Sequence, residues 1–190
     1  MENTVCYLIG GAARTGKTTM ANELAVEHGI KPFCTDSLHV MLTKLVRRQD
    51  NPDLFYTHDL SVEQFYEKNN TPQKALEATV KAALASEYGF TVFIERILPS
   101  WQVMVIEGTL ITPGFVSRLR QKYPDTTFEA TFLYDDNLDR IRDRIYTHGL
   151  YYRTPYSDNI KPKEVAYVQA CNDWYKKEAK RYKMELIHIL

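Results

Sequence analysis

Residues Gly11-Ala12-Ala13-Arg14-Thr15-Gly16-Lys17-Thr18 match the pattern G-x-x-x-x-G-K-[ST] at every fixed position. Their flanks matter as much. The apolar run Val5 to Ile9 reads as a buried parallel strand, and Lys17 to His28 has helical periodicity. A strand that turns through glycines into a helix offers an anion a row of N–H groups and the positive end of a helix dipole. The glycines let the backbone wrap closely around a pyrophosphate. In that setting Lys17 reaches the β- and γ-phosphates of a nucleotide, and the Thr18 hydroxyl ligates Mg²⁺. The stretch from Gly11 through Thr19 is therefore the candidate nucleotide-binding loop.

The rest of the chain alternates strands and helices. Further strands are expected at Lys31 to Thr35, Val103 to Ile106, Thr127 to Tyr134 and Met184 to Ile189. The first helix turns Met20, Ala21, Leu24 and Ala25 toward the sheet. A second helix starts at Thr35-Asp36-Ser37, and Gln49 to Asp59 reads as a polar loop. Ser61 and Gln64 form a capping box for a short helix. Thr71-Pro72 opens a long helix, with Thr71 as N-cap and Pro72 in the first turn. Gly89 is expected to interrupt it before a further helical run, Phe90 to Leu98. A basic helix carries Arg118 and Arg120, and Asp135 or Asp136 is expected to cap the next one. His148 to Lys161 reads as a mobile loop, and Lys163 to Tyr182 as the last helix. This pattern predicts an α/β domain with a mostly parallel sheet between two helical layers. We read residues 1–190 as one domain, with an acceptor-side helical insertion at about 37–98 and a lid at about 139–161.

Composition narrows the function. The 190 residues include 24 basic and 24 acidic side chains, for a formal net charge of zero. That balance argues against broad contact with nucleic acid or a membrane surface. No apolar run is long enough to span a bilayer, and the chain enters a core strand almost at once, so no leader peptide is expected. Cys6, Cys34 and Cys171 are scattered without metal-ligand spacing, as expected of reduced cysteines in a cytoplasmic protein.

Ligands of parallel α/β sheets sit at the carboxyl ends of the strands. The loop, Asp36 and Glu107 all fall at such ends. Phosphoryl transfer needs a phosphate cradle, a metal, positive charge over the transferring group and a residue that orients the nucleophile. Glu107, with Thr18, is the candidate metal residue and also borders the acceptor. Asp36 is placed to accept the proton of an attacking hydroxyl. Arg140 and Arg144 lie one helical turn apart, and Arg153 follows in the Tyr-rich loop. Arg144 and Arg153 are the candidate catalytic arginines of a closing lid. Arg118 is a candidate for binding an acidic group on the acceptor.

Several of these segments resemble one family. Leu8-Ile9-Gly10-Gly11, Thr35-Asp36-Ser37-Leu38, Ile94-Glu95-Arg96 and Val105-Ile106-Glu107-Gly108 ahead of Pro113-Gly114 are similar to the 2-phosphoglycerate kinase-like branch of the P-loop kinases. More broadly, the chain resembles small-molecule and nucleotide kinases, whose relatives include the zeta toxins. The likeness covers roughly the first 115 residues; beyond them, only the Arg-bearing lid and the last strand are similar in outline. His39 stands where that family has an arginine, and Thr109-Leu110 where it has Val-His. The resemblance implies a P-loop NTPase fold of three α/β/α layers, with five parallel strands in the order 2-3-1-4-5. It also implies Mg-ATP as donor and a small hydroxyl-bearing acceptor. A nucleoside monophosphate kinase and a zeta-toxin-like UDP-sugar kinase are the alternatives among enzymes. The alternative of another class is an ATP-gated binding module that transfers no phosphate.

Overall fold

The computed structural model describes residues 4–56, 60–148, 150–151, 154–155 and 157–189. In chain order the elements are β1 (Val5–Gly11), α1 (Lys17–Glu27), β2 (Phe33–Cys34), α2 (Thr35–Leu45), α3 (Val62–Lys68), α4 (Pro72–Ile97) and β3 (Val103–Glu107). They continue as α5 (Pro113–Lys122), β4 (Thr127–Tyr134), α6 (Leu138–His148), β5 (Leu150–Tyr151), β6 (Thr154–Pro155), α7 (Lys161–Arg181) and β7 (Glu185–His188). Five of the strands form a parallel sheet in the order β2-β3-β1-β4-β7. Counted along the chain this is 2-3-1-4-5, the order implied by the resemblance.

Alternation along the strands builds two cores, one on each face. Cys6, Leu8, Met104, Ile106, Phe128 and Phe132 join the cluster that α4, α5 and α7 cover. Ile9, Val105 and Leu133 point the other way and pack against Ala21 and Ala25 of α1. The period of two in a strand makes this division automatic once the sheet is covered on both sides. No described helix is long and apolar enough to cross a membrane.

Most helix ends follow the local rules. Ser61 and Gln64 make the reciprocal capping box of α3, and the Thr71 hydroxyl accepts the Lys74 N–H ahead of Pro72. Helix α1 closes with paired bonds from Gly29 N–H to the Val26 carbonyl and from Ile30 N–H to the Ala25 carbonyl, at 3.1 and 2.9 Å.

Three expectations change. Gly89 does not interrupt α4, which runs unbroken from Pro72 to Ile97. A Cβ at Gly89 would stand 2.5 Å from Leu42 Cδ2, so this glycine lets α2 approach α4 closely. The polar segment after α2 holds a 3₁₀ turn, Pro52–Phe55, that buries Leu54 and Phe55. Asn137, not Asp135 or Asp136, caps α6: its Oδ1 accepts the Arg140 N–H at 3.0 Å. The expected loop from His148 to Lys161 lies partly outside the described residues; within it, β5 and β6 pair antiparallel.

Candidate active site

Strand register gathers the site. Ile9 pairs with Glu107, Cys34 with Glu107, and Gly11 with Leu133. The residues just beyond those pairs share one rim: the phosphate loop after β1, Asp36 in the first turn of α2, Gly108 after β3 and Asp135 after β4. Gly11 has φ +131°, and a Cβ there would lie 2.2 Å from the Leu133 carbonyl oxygen. Only glycine meets both conditions, and so the loop can leave the sheet at this point.

The loop is held from within. Lys17 Nζ donates to the Ala12 carbonyl at 2.6 Å and Thr15 Oγ1 donates to the same oxygen at 2.9 Å. Lys17 is the first residue of α1 and is buried. Burial lowers its pKa, while the charges of Glu107 and Asp36 oppose the fall. Its ammonium thus feels the charge of two carboxylates, and a phosphate bound at the loop would replace lost hydration with direct charge pairing.

Thr18 and Glu107 meet there: Thr18 Oγ1 donates to Glu107 Oε1 at 3.3 Å. A hydroxyl and a carboxylate are hard oxygen donors. Mg²⁺ keeps most of its waters and takes one or two protein ligands plus phosphate oxygens, so this sparse pair fits it. Glu107 is 5% exposed. Its neighbour Gly108 has φ +148°, and a Cβ there would fall 1.7 Å from Thr35 Oγ1. The end of β3 is thereby pressed against the start of α2.

Asp36 completes the group. Solvent reaches the residue, yet protein atoms crowd its carboxyl. Lost hydration raises its pKa, Lys17 opposes the rise and Glu107 adds to it. A carboxylate with a raised pKa is a stronger base than an ordinary aspartate.

The arginines divide. Arg144 on α6 donates through Nη1 to the Arg14 carbonyl inside the phosphate loop and to Asp135 Oδ2, both at 3.0 Å. Arg140 turns instead to the sheet edge, forking onto Asp135 at 2.7 and 2.8 Å and donating to the Ile189 carbonyl. Asp136, the next residue, pairs with Lys176 and His188. Arg118 lies on α5 and donates to Glu87 of α4, with Nε at 3.0 Å, so its guanidinium is committed to a helix–helix ion pair. Arg153 lies outside the described residues.

Sequence reasoning passed over a buried polar wall beside the loop. Glu164 of α7 is 7% exposed and accepts the Tyr66 hydroxyl from α3, while Tyr167 and Thr79 share a bond of 2.7 Å. Burial raises the Glu164 pKa, and the Tyr66 bond and the Arg14 charge only partly offset it. The folded state therefore holds this proton more tightly than the unfolded chain. Its contribution to stability is present below the ordinary glutamate pKa and is lost as pH rises toward the raised value. Glu164→Gln is accordingly expected to raise the melting temperature at pH 8 and to leave it nearly unchanged at pH 4. Equal shifts at both pH values in a thermal melt would contradict this.

A loop-bearing strand β1 between β3 and β4, with carboxylates at the next two strand ends, defines the class: the chain has the fold and phosphate-loop arrangement of the P-loop kinases. Within it, the chain is similar to curated proteins named 2-phosphoglycerate kinase. One from Methanocaldococcus jannaschii is 27% identical over 182 residues, covering 93% of this chain and 56% of that protein. One from Pyrococcus horikoshii is 26% identical over 160 residues, covering 82% and 50%. One from Thermococcus kodakarensis is 31% identical over 112 residues, covering 57% and 38%. The chain thus spans about half the length, or less, of the curated relatives it matches. No protein-family model matches it. Among solved structures, a gluconokinase from Sinorhizobium meliloti superposes with a TM-score of 0.52 at 13% identity, covering 99% of this chain and 83% of that one; this likeness is one of fold.

Proposed function

We propose that this protein transfers the γ-phosphoryl group of Mg-ATP to a hydroxyl of a small acidic metabolite. The observation that carries the reading is the convergence at one rim of Lys17, the Thr18–Glu107 pair and Asp36, electrostatically coupled to one another. The names of the curated relatives make phosphorylated hydroxy acids the first acceptors to try.

In this reading residues Gly11 to Thr19 bind the triphosphate through loop N–H groups and the start of α1. Lys17 neutralises charge on the transferring phosphoryl group. Thr18 and Glu107 would hold Mg²⁺, which when bound would offset the charge of the phosphates. Asp36 orients the acceptor hydroxyl and takes its proton. Arg144 stands over the loop to meet charge that develops during transfer, with Arg153 as a second lid arginine on sequence grounds. Glu107 borders the acceptor, and Arg118 would reach it only by giving up its ion pair with Glu87. The segment 37–98 forms the acceptor side, and 139–161 the lid. The three cysteines are free thiols, with burial pushing Cys6 and Cys171 up to about 12, which suits a reducing compartment such as the cytoplasm.

The test is ADP release with Mg-ATP across pools of phosphorylated and plain hydroxy acids, sugars, nucleoside monophosphates and UDP-sugars. One pool is expected to stimulate release. Release that no pool stimulates would favour the ATP-gated binding module. Glu107→Gln is expected to raise the Mg²⁺ concentration for half-maximal activity by about tenfold. An unchanged Mg²⁺ titration would remove Glu107 from the metal site.

A further inference from the structure

Asp135 stands directly after β4, with its residue fully buried. Four donors reach its carboxylate. Oδ1 accepts the Asn137 N–H at 2.9 Å and Arg140 Nη2 at 2.8 Å; Oδ2 accepts Arg140 Nε at 2.7 Å and Arg144 Nη1 at 3.0 Å. Its own N–H donates to Asn172 Oδ1 of α7 at 2.9 Å, so a second helix fixes it in place. Burial by itself would raise this carboxyl. The bonds from Arg140 and the Asn137 N–H, with the charges of both arginines, outweigh that and hold it below the usual aspartate range.

The two arginines use this anion differently. Arg140 spends Nε and Nη2 on Asp135 and reaches the Ile189 carbonyl, tying α6 to the sheet edge. Arg144 offers Nη1 alone, to Asp135 and to the Arg14 carbonyl of the phosphate loop. Its Nε and Nη2 donate to no described residue, and its side chain is 28% exposed. Nη1 of the guanidinium is clamped, and its Nε–Nη2 edge is left without a described partner.

We infer that Asp135 is a positioning residue: its buried carboxylate, with the Arg14 carbonyl, fixes Arg144 so that the open edge of the guanidinium faces the transferring phosphoryl group. The inference rests on the proposed role of Arg144. A long side chain loses several rotamers when it is ordered, and a charge-assisted bond to a buried anion makes that ordering before substrate arrives. Asp135 touches no reacting atom and acts through Arg144 alone.

The test is a double-mutant cycle on phosphoryl transfer with Asp135→Asn, Arg144→Ala and the pair. Asparagine keeps the shape and the acceptor for the Asn137 N–H while removing the charge. Arg144→Ala is expected to lower kcat by about 100-fold. Asp135→Asn is expected to lower kcat by about tenfold, with KM for ATP changed far less, and to add less than about twofold in the Arg144→Ala background. Full additivity of the two losses would overturn the positioning role while leaving Arg144 as a phosphate contact. An unaffected Arg144→Ala would instead overturn the proposed role of Arg144, and the inference with it. A purely structural role predicts that Arg140→Ala lowers kcat as much as Asp135→Asn; we expect it to lower the melting temperature and leave kcat within about threefold. If Asp135→Asn does not fold, Arg144→Ala decides. Millimolar guanidinium, far below denaturing levels, is expected to restore part of its activity with saturation, because the Asp135 and Arg14 cradle remains. No restoration would overturn the proposal.

Discussion

Asp36→Asn is expected to lower kcat by about 10³-fold while ATP binding and the melting temperature stay close to those of the unaltered protein. The two possible roles of this residue diverge at this substitution. As a helix N-terminal residue Asp36 gives α2 a favourable first-turn charge, worth about 0.3–1 kcal/mol. Asparagine loses that much and no more. As a proton acceptor the carboxylate has no substitute, because an amide cannot take a proton at neutral pH. The raised pKa sets a second readout. The active form is deprotonated, so kcat/KM should fall as pH drops through the raised value, at a higher pH than an ordinary aspartate near 3.9 would give. That acid limb should vanish from the residual activity of Asp36→Asn. A variant that turns over normally, or keeps the limb, would return Asp36 to a purely structural role.

Lys17→Ala is expected to produce the second large loss, about 10²- to 10³-fold in kcat, with weaker ATP binding. The ammonium is buried and is opposed by lost hydration, and the coupling to Glu107 and Asp36 helps to keep it charged. Without it, the charges of those two carboxylates and of bound phosphates lose their nearby counter-charge. The Ala12 carbonyl keeps its bond from Thr15, so the loop backbone has a reason to hold its shape. Circular dichroism should therefore be unchanged while nucleotide titration weakens. ATP binding and turnover equal to those of the unaltered protein would show that Lys17 serves only to brace the loop.

The features that were legible in the sequence are those whose cause is local or set by strand ends. Gly11 to Thr18 is readable because each position answers to the backbone around it. The meeting of Thr18 and Glu107, 89 residues apart, follows from two parallel strands with neighbouring carboxyl ends. The sheet order came through resemblance to known kinases; hydrophobic pattern alone does not order parallel strands.

What stayed hidden depends on partners that sequence spacing does not name. Asp135 looked like a helix cap, and a cap and an arginine receiver share the same residue type in the same place. Only packing shows that Asn137 takes the cap while Asp135 takes Arg140 and Arg144. Glu164 reads as an exposed first-turn acid until Tyr66, 98 residues earlier, closes over it. Gly89 looked like a break because glycine in a helix costs about 1 kcal/mol relative to alanine; the close approach of Leu42 accounts for its presence. Leu54 and Phe55 sat inside a polar composition that hid their burial.

The most direct measurement follows the phosphorus itself. Protein is incubated with Mg-ATP labelled in the γ-phosphate and the stimulating acceptor pool, and the products are separated, with Asp36→Asn run alongside. The account predicts label on an organic acceptor in the unaltered protein and almost none in the variant. Label found only as inorganic phosphate, at the same rate with and without acceptors and in both proteins, would contradict it.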